Sequence, residues 1–236
     1  ALTDPLFLAS VGRSIVFALA LSMIELVLGF LIALLFASLL RAGRYLVSFI
    51  LVALMTPPVM VGVAWKLILA PAGGLLNGVL LRLGVVDAPV SFLGTASLAS
   101  VSILVADVWQ WTPFVVILAF AALMTIPPEV REAAEVDGAT PWQRLTHVIL
   151  PLVAAPLAAI FLLKLIIAFK LFDLVYVLTF GGPGFATTTS GFAIWRLALE
   201  QFDGGRAAAQ TLIYAVVVGL VTLPVVKLQQ RFERAA

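Results

Sequence analysis

Glu25, Asp107, Lys164, Lys170 and Asp173 are ionisable residues set inside stretches that are otherwise almost wholly apolar. A charge at mid-membrane depth costs about 2.5–3.5 kcal/mol on insertion scales, so such a group faces a partner or a wet cavity. Helical spacing puts Asp107, Trp111 and Phe114 on one face, and Lys164, Ile167, Ala168 and Leu171 on another. Faces that mix hydrogen-bonding groups with flat rings suit a hydroxylated solute, which offers both hydroxyls and an apolar ring face. Two readings stay open. Asp107–Lys164, or Glu25 with either lysine, forms a structural ion pair between helices, or these groups meet a solute. Lys164 then either takes an anionic substituent or is neutralised by Asp107, leaving a neutral polyol site.

Catalytic chemistry finds no support. The chain has a single histidine, His147, and no cysteine, so neither a metal cluster nor a thiol nucleophile is expected. No G-x-x-x-x-G-K-[ST], H-E-x-x-H or nucleophile elbow occurs, and Gly181–Gly184 lacks the lysine that a phosphate loop needs. No catalytic residue, metal site or bound cofactor is therefore expected.

The elements that position these residues must lie in lipid. Of 236 residues, 63% are hydrophobic and 11% charged, with a mean hydropathy of +1.19. Soluble domains run at about 45–50% apolar and 25% charged. That gap excludes a cytosolic enzyme, a disordered chain and a nucleic-acid binder. Five stretches reach the roughly 20 apolar residues of a spanning helix. They are Ser14–Leu40, Leu46–Leu69 with Pro57-Pro58 inside it, Ala96–Met124, Leu152–Leu178 and Ala207–Val226. The expected fold is all-α and polytopic, with residues 1–236 forming a single transmembrane domain. The first span is too long for a signal peptide and has no small-residue cleavage site.

Cationic residues set the orientation. Arg41, Arg44, Arg131, Arg144 and the Lys227, Arg231, Arg234 tail fall on one side, expected to be cytoplasmic together with the C-terminus. Arg13, Arg82, Arg196 and Arg206 on the other side are balanced by Asp4, Asp87, Glu200 and Asp203. Ala1 is then outside, which needs either an earlier span or a translocated N-terminus; an earlier span missing from the N-terminus is expected. On the outer side, Leu75, Leu76, Val79, Leu80 and Leu83 predict an interfacial amphipathic helix ended by Gly84. The Gly181–Gly184 turn leads to a short helix over about Ser190 to Phe202. Trp65, Trp195 and Tyr214 read as interface anchors. Pro57-Pro58 reads as a packing kink, or as pathway lining near Met60 and Gly62. Ala33/Ala37 and Ala154/Ala158 suit close helix packing.

The longest polar interval, Ile126–Pro151, predicts a helix–turn–helix elbow. Acids open the first helix and Gly138 stops it in a left-handed conformation. Thr140 caps the second helix, with Pro141 at its first position. Trp142, Leu145 and Ile149 are expected to form one apolar stripe, and Pro151 to open the fourth span.

The spacing Glu132-Ala133-Ala134, three residues, Gly138, nine residues, Val148, one residue, Leu150-Pro151 resembles the EAA signature of ATP-binding-cassette importer permeases. Val148 stands where that family has isoleucine. Trp109–Phe114, Phe172–Pro183, Gly74–Asn77 and Gly205–Ala209 resemble segments of the carbohydrate, maltose-permease-like branch, on the side of its F-type member. The resemblance implies a type I importer permease core of six spans, of which five are visible here. It implies an ATPase-coupling loop at about 126–151, with Glu132, Ala133, Ala134, Asp137, Gly138, Trp142, Leu145, Leu150 and Pro151. It implies solute contacts at Asp107, Gln110, Trp111, Phe114, Lys164, Ile167 and Ala168. ATP and Mg are then expected on a partner ATPase and not on this chain. The implied partners are a second homologous permease, two ATP-binding cassette subunits, an extracytoplasmic solute-binding protein, membrane lipid and a carbohydrate-type solute. The implied location is a bacterial or archaeal cytoplasmic (inner) membrane. An ion-driven secondary transporter would leave the elbow without a task. A non-transporting scaffold would leave the mid-depth polar faces without one.

Overall fold

The computed structural model describes residues 4–39 and 50–235, with backbone alone for Arg131 and beyond Arg231; these described residues contain helices and turns and no strand. Arg41, Arg44 and the expected span ends at Leu40 and Leu46 lie outside them.

Helix α1 (Pro5–Ser38) starts earlier than its apolar pattern indicates. Asp4 caps it by accepting from Leu6 N at 3.0 Å and Phe7 N at 3.3 Å. Its polar first turns pair inside the protein instead of reaching water. Arg13 Nε donates to the Thr188 carbonyl at 2.8 Å, Ser14 Oγ accepts from Ser190 N at 2.8 Å, and the Ser10 and Ser190 hydroxyls lie 3.4 Å apart.

The second expected span is two helices, α2 (residues 50–55) and α3 (Pro58–Ile68). Neither Pro57 nor Pro58 has an N–H to donate, so the ladder breaks there. The Thr56 carbonyl at the break accepts from Gln110 Nε2 at 3.0 Å. Helix α4 (Leu75–Arg82) follows, and Gly84, at φ 65°, lies beyond its end. It buries Asn77, which bonds the Ala70 carbonyl and both backbone groups of Val90, and leaves Leu75 and Leu81 exposed with Leu76 and Leu80 half-buried. Helix α5 (Ala96–Met124) matches expectation at both ends, and Thr95 caps it.

Helices α6 (Pro128–Val136) and α7 (Pro141–Gln143) make the elbow. From α7 the chain stays helical through a wide turn at Arg144–Ile149 into α8 (Leu150–Ala168). Pro151 therefore does not open the fourth crossing. The segments Pro141–Leu152 and Ala154–Ala168 meet at a 69° bend, flanked by Pro151 and Pro156, each of which removes a ladder donor. The crossing also ends at Ala168 and not at Leu178. Unwound backbone at this depth is tolerated only when its polar groups find protein partners. Tyr214 Oη donates to the Phe169 carbonyl at 2.8 Å and Thr189 Oγ1 to the Leu171 carbonyl at 2.9 Å. Tyr214 is thereby a brace for the break and not an interface anchor.

Residues Val175–Thr179 are helical again. At the turn beyond them Gly181, at φ 78°, lies so close to Phe192 that an added Cβ would come within 2.7 Å of its ring. Helix α9 (Ser190–Trp195) widens into Arg196–Glu200. Trp195, also expected as an anchor, packs among Phe172, Tyr176, Phe180 and Phe192, its ring centre 5.0 Å from that of Tyr176. Helix α10 (Gly204–Ala235) overruns the expected Ala207–Val226 at both ends. By length and composition the described residues thus hold three helices able to cross a membrane, a bent fourth crossing, and the shorter Pro58–Ile68, in place of five uninterrupted spans.

Helices α1 and α10 start side by side, tied by Asp4 and Arg206 at 3.3 Å. The core lies between α1, α5 and α8. One cluster, around Leu21, Ile103 and Leu165, continues to Phe192, and a second surrounds Ala33, Val115, Leu123 and Ile160. Helices α1 and α5 approach closely at Gly29, where an added Cβ would lie 2.5 Å from Val115 Cγ1 and 3.2 Å from the Val116 backbone nitrogen. Overpacking a tight site costs about 1–3 kcal/mol. Gly29→Val is expected to lower the melting temperature of the detergent-purified protein by several degrees. Gly219→Ala, at a position with open space around it, is expected to leave the melt unchanged or raise it slightly. Equal melts for the two variants would refute the close approach.

Candidate functional site: a charged cavity and a capped elbow

Lys164 extends from α8 between two carboxylates. Its Nζ lies 2.9 Å from Glu25 Oε2 on α1 and 3.0 Å from Asp107 Oδ2 on α5. The three side chains are 1%, 0% and 7% exposed respectively. Both ion pairs foreseen for Lys164 therefore form at once, on a single ammonium. Two carboxyl groups thus share one cation in a buried place, where a second ionised carboxylate would have no charge to balance it. The face of Trp111 lies 4.9 Å from Nζ, a cation–π distance.

Asp107, Gln110, Trp111, Lys164, Ile167 and Ala168 line one cavity of about 250 Å³. Phe114 does not line it. It stands behind Trp111, ring centres 6.1 Å apart and planes at 84°, and steadies that indole. The opposite wall comes from Pro58, from the unwound stretch after α8 with Lys170 and Phe172, and from Asp173 where the chain becomes helical again. The signal for that wall was present in Pro57-Pro58 and in the two charges, but a five-span reading hid the break that brings them together. Gln110 links both features: it braces the α2–α3 break through Nε2, while its buried Oε1 has no hydrogen-bond partner. A buried acceptor left unpaired is costly, and a solute hydroxyl entering the cavity would relieve it.

The described residues also enclose a larger hollow of about 570 Å³, near the start of α1, reached by Arg13, Arg196 and Arg206. Its arginines are already engaged, Arg196 with Glu200 at 2.9 Å and Arg206 with Asp4. The smaller cavity is the one that joins polar and aromatic groups at mid-helix depth, and chemistry favours it over size.

At the other end of α8 the elbow is locked by its own backbone. Ala139 N donates to the Ala134 carbonyl at 3.0 Å and Gly138 N to the Glu135 carbonyl at 3.0 Å, with Gly138 at φ 74°. This is a Schellman cap, and it needs the left-handed residue that glycine supplies. Thr140 and Gln143 form a capping box at the start of α7. Arg144 and Glu135 pair across the corner. Glu132, Ala133, Asp137, Gly138, Trp142, Leu150 and Pro151 are exposed, whereas Ala134 is buried and Leu145 half-buried. The expected Trp142–Leu145–Ile149 stripe is split. Trp142 is 70% exposed, and Ile149 packs against the lower core. The wide turn, in which Leu150 N reaches the Leu145 carbonyl, shifts the periodicity away from 3.6 residues and separates them.

Comparison with known proteins adds an independent line. A family model described as binding-protein-dependent transport system inner membrane component matches residues 25–236. The trehalose/maltose transport system permease protein MalF of Thermococcus litoralis is 36% identical, over 89% of this chain and 70% of that protein. The multiple sugar-binding transport system permease protein MsmF of Streptococcus mutans is 30% identical, over 98% of this chain and 79% of that protein. The crystal structure of a bacterial ABC transporter that imports the acidic polysaccharide alginate superposes with a TM-score of 0.82 at 24% identity, over 98% of this chain and 81% of that one. The same kind of transporter in complex with its alginate pentasaccharide-bound periplasmic protein gives a TM-score of 0.83 at 25% identity, over 98% and 80%.

The triad makes a stability prediction of its own. Removing one partner of a buried ion pair costs about 3–5 kcal/mol, because the survivor keeps its charge without compensation. Lys164→Met is expected to lose monodisperse protein on size-exclusion chromatography, with two carboxylates stranded. Adding Glu25→Gln and Asp107→Asn to it is expected to recover most of the loss. A Lys164→Met protein as stable as the parent would refute the ion cluster.

Proposed function

The chain belongs to the family of binding-protein-dependent transport system inner membrane components, as the permease of a sugar-class ATP-binding-cassette importer, and on that premise we propose how it couples and what it holds. It is a transport subunit and not an enzyme, an inner-membrane component with several apolar helices. In this reading the elbow docks on a partner ATPase, and the cavity at Asp107, Gln110, Trp111, Lys164, Ile167 and Ala168 receives the carbohydrate solute.

One observation carries the proposal. The residues from the second elbow helix to the end of α8 are helical throughout, through the wide turn and the 69° bend, and the last turns of α8 bear Lys164, Ile167 and Ala168. A helix transmits displacement along its axis because its backbone hydrogen bonds resist stretching. The capped corner fixes the input end, and the unwound stretch after Ala168 leaves the output end able to move against α3 and α5. Closure of an ATPase dimer would then be felt as a change in the cavity wall.

The expected assembly is this chain with a second homologous permease, two ATP-binding cassette subunits that carry ATP and Mg, and a solute-binding protein on the outer side. The alginate importer solved with its loaded periplasmic protein supports the solute-binding partner. The elbow lies at the end of the bundle where α1 finishes, beside Leu34 and Ser38. With the cationic tail at the end of α10, that end is assigned to the cytoplasm. The cavity is shaped for recognition by hydroxyl contacts and ring stacking: Gln110 Oε1 and Asp107 accept, and Trp111 with Ile167 gives an apolar surface.

Gly138→Pro tests the coupling. Proline cannot adopt a φ of 74° and has no N–H for the Glu135 carbonyl. The reconstituted transporter is expected to lose solute uptake while ATP hydrolysis continues uncoupled, with the variant chain inserted at normal levels. Full uptake would refute the elbow's role. Trp111→Ala tests the cavity: the KM for uptake is expected to rise about fivefold to tenfold, as loss of a stacking face implies. An unchanged KM would remove Trp111 from the site.

A further inference from the structure

The larger hollow, of about 570 Å³, is lined by a cation that no carboxylate among the described residues neutralises. The carboxylates around it are all committed. Asp4 uses Oδ1 for the backbone N–H groups of Leu6 and Phe7, and Oδ2 for Arg206 and Gln210, both at 3.3 Å. Glu200 pairs with Arg196 at 2.9 Å and Asp203 with Arg206 at 3.7 Å. Arg13 has no ion pair among the described residues. The Thr188 carbonyl, at 2.8 Å, fixes its Nε and leaves both Nη groups of a half-buried guanidinium to the hollow. Arg196 is held beside the same space. Glu200 takes its Nε, and its guanidinium lies 5.5 Å from the Phe185 ring centre. Phe185 keeps a left-handed φ of 67°, which a bulky residue does only where its surroundings fix it.

Depth and rim indicate what arrives there. From Ser14 to Leu34, which borders the elbow, α1 rises about 30 Å, the thickness of a hydrocarbon core. Arg13 thus stands at the boundary on the side away from the elbow, and the hollow opens from it at the level of the lipid headgroups. Phe7, Ala193 and Leu197 make part of its lining apolar. Beside it Leu6 is 56%, Leu199 60% and Phe202 84% exposed. Large apolar side chains uncovered at this depth suit acyl chains and not water.

We propose that this hollow binds an anionic phospholipid of the adjoining leaflet, with the phosphate on Arg13 and Arg196 and an acyl chain along Leu6 and the apolar lining. A headgroup phosphate supplies the charge that Arg13 lacks, and two guanidinium groups with free Nη donors match its oxygens. Basic pockets between spanning helices hold anionic headgroups in this way. The site lies at the far end of the bundle from the elbow and does not depend on where the solute binds.

The test uses the assembled transporter, purified in an uncharged detergent. Native mass spectrometry follows the lipids it retains as phosphatidylglycerol or phosphatidylcholine is titrated. Both lipids carry a phosphate, and only the first is a net anion. The parent is expected to hold at least one phosphatidylglycerol more tightly than phosphatidylcholine. Arg13→Gln is expected to weaken that binding about fivefold or more, the scale of one arginine at a lipid surface, and Arg13→Lys to keep most of it. Arg82→Gln, on α4 and outside the hollow, is expected to leave it unchanged, as is a large excess of inorganic phosphate. A parent without the preference, as when a second permease covers the hollow, overturns the proposal. So does Arg13→Gln with the parent affinity, or an equal loss in Arg82→Gln, which would make the attraction diffuse. Displacement by inorganic phosphate would make the anion a soluble one and overturn the lipid. Should Arg13→Gln fail to assemble, Arg196→Gln leaves the Arg13–Thr188 bond in place, and the parent affinity there would equally overturn the site.

Discussion

A single ammonium shared by two buried carboxylates holds this molecule together where it has to do its work. Lys164 sits in a medium where an unpaired charge is expensive, and the only way to keep it is to bring α1 and α5 to α8 at one level. That requirement fixes the relative height of three helices. It also places Trp111 and Gln110, which lie within one turn of Asp107, beside the last turns of α8. The cavity follows from the ion cluster: its inner wall is the cluster itself, and its outer wall is the backbone that α8 abandons after Ala168.

The second constraint is the satisfaction of backbone polar groups away from water. Both breaks in the bundle, at Thr56–Pro57 and at Phe169–Phe172, free carbonyls that lipid cannot hydrate. Each is met by a side chain from elsewhere in the bundle, Gln110 in the first case and Tyr214 and Thr189 in the second. Irregular backbone at this depth is thus confined to where it lines a hollow, and the two breaks together contribute one wall of it. The proposed coupling asks rigid elements to carry motion to this region, with the unwound segments giving it somewhere to go. The helical path from Pro141 to Ala168, bent by 69° on the way, joins the elbow to the cavity.

Much of this was legible in the sequence because it depends on local chemistry. Gly138, Thr140 and Pro141 announce the elbow through caps that need only their neighbours, and α5 carries its own boundaries in Thr95 and the Pro127-Pro128 stop. Six of the seven cavity residues singled out by resemblance line one hollow. What hydropathy missed was decided by distant partners. Ser10, Arg13 and Ser14 look like the end of a membrane segment until Thr188 and Ser190 are found to take up their polar groups. Leu152–Leu178 reads as one crossing because its composition is apolar throughout, and nothing local reveals that Tyr214 and Thr189 will stabilise an interruption. Glu25 was visible as a buried charge. Its joint claim with Asp107 on one lysine depends on the register of three helices, which no single stretch encodes.

The chain contains no cysteine, so one introduced thiol reports on one position. With Ile167→Cys in the reconstituted transporter, the rate of modification by a membrane-impermeant maleimide added from the outer side can be followed with and without ATP plus vanadate. If the motor moves α8 through the elbow, labelling rises when the ATPases are locked with nucleotide, and the rise disappears when Gly138→Pro is added. Labelling that is the same with and without nucleotide, or a rise that survives the broken elbow, would show that the cavity is not driven through this helix.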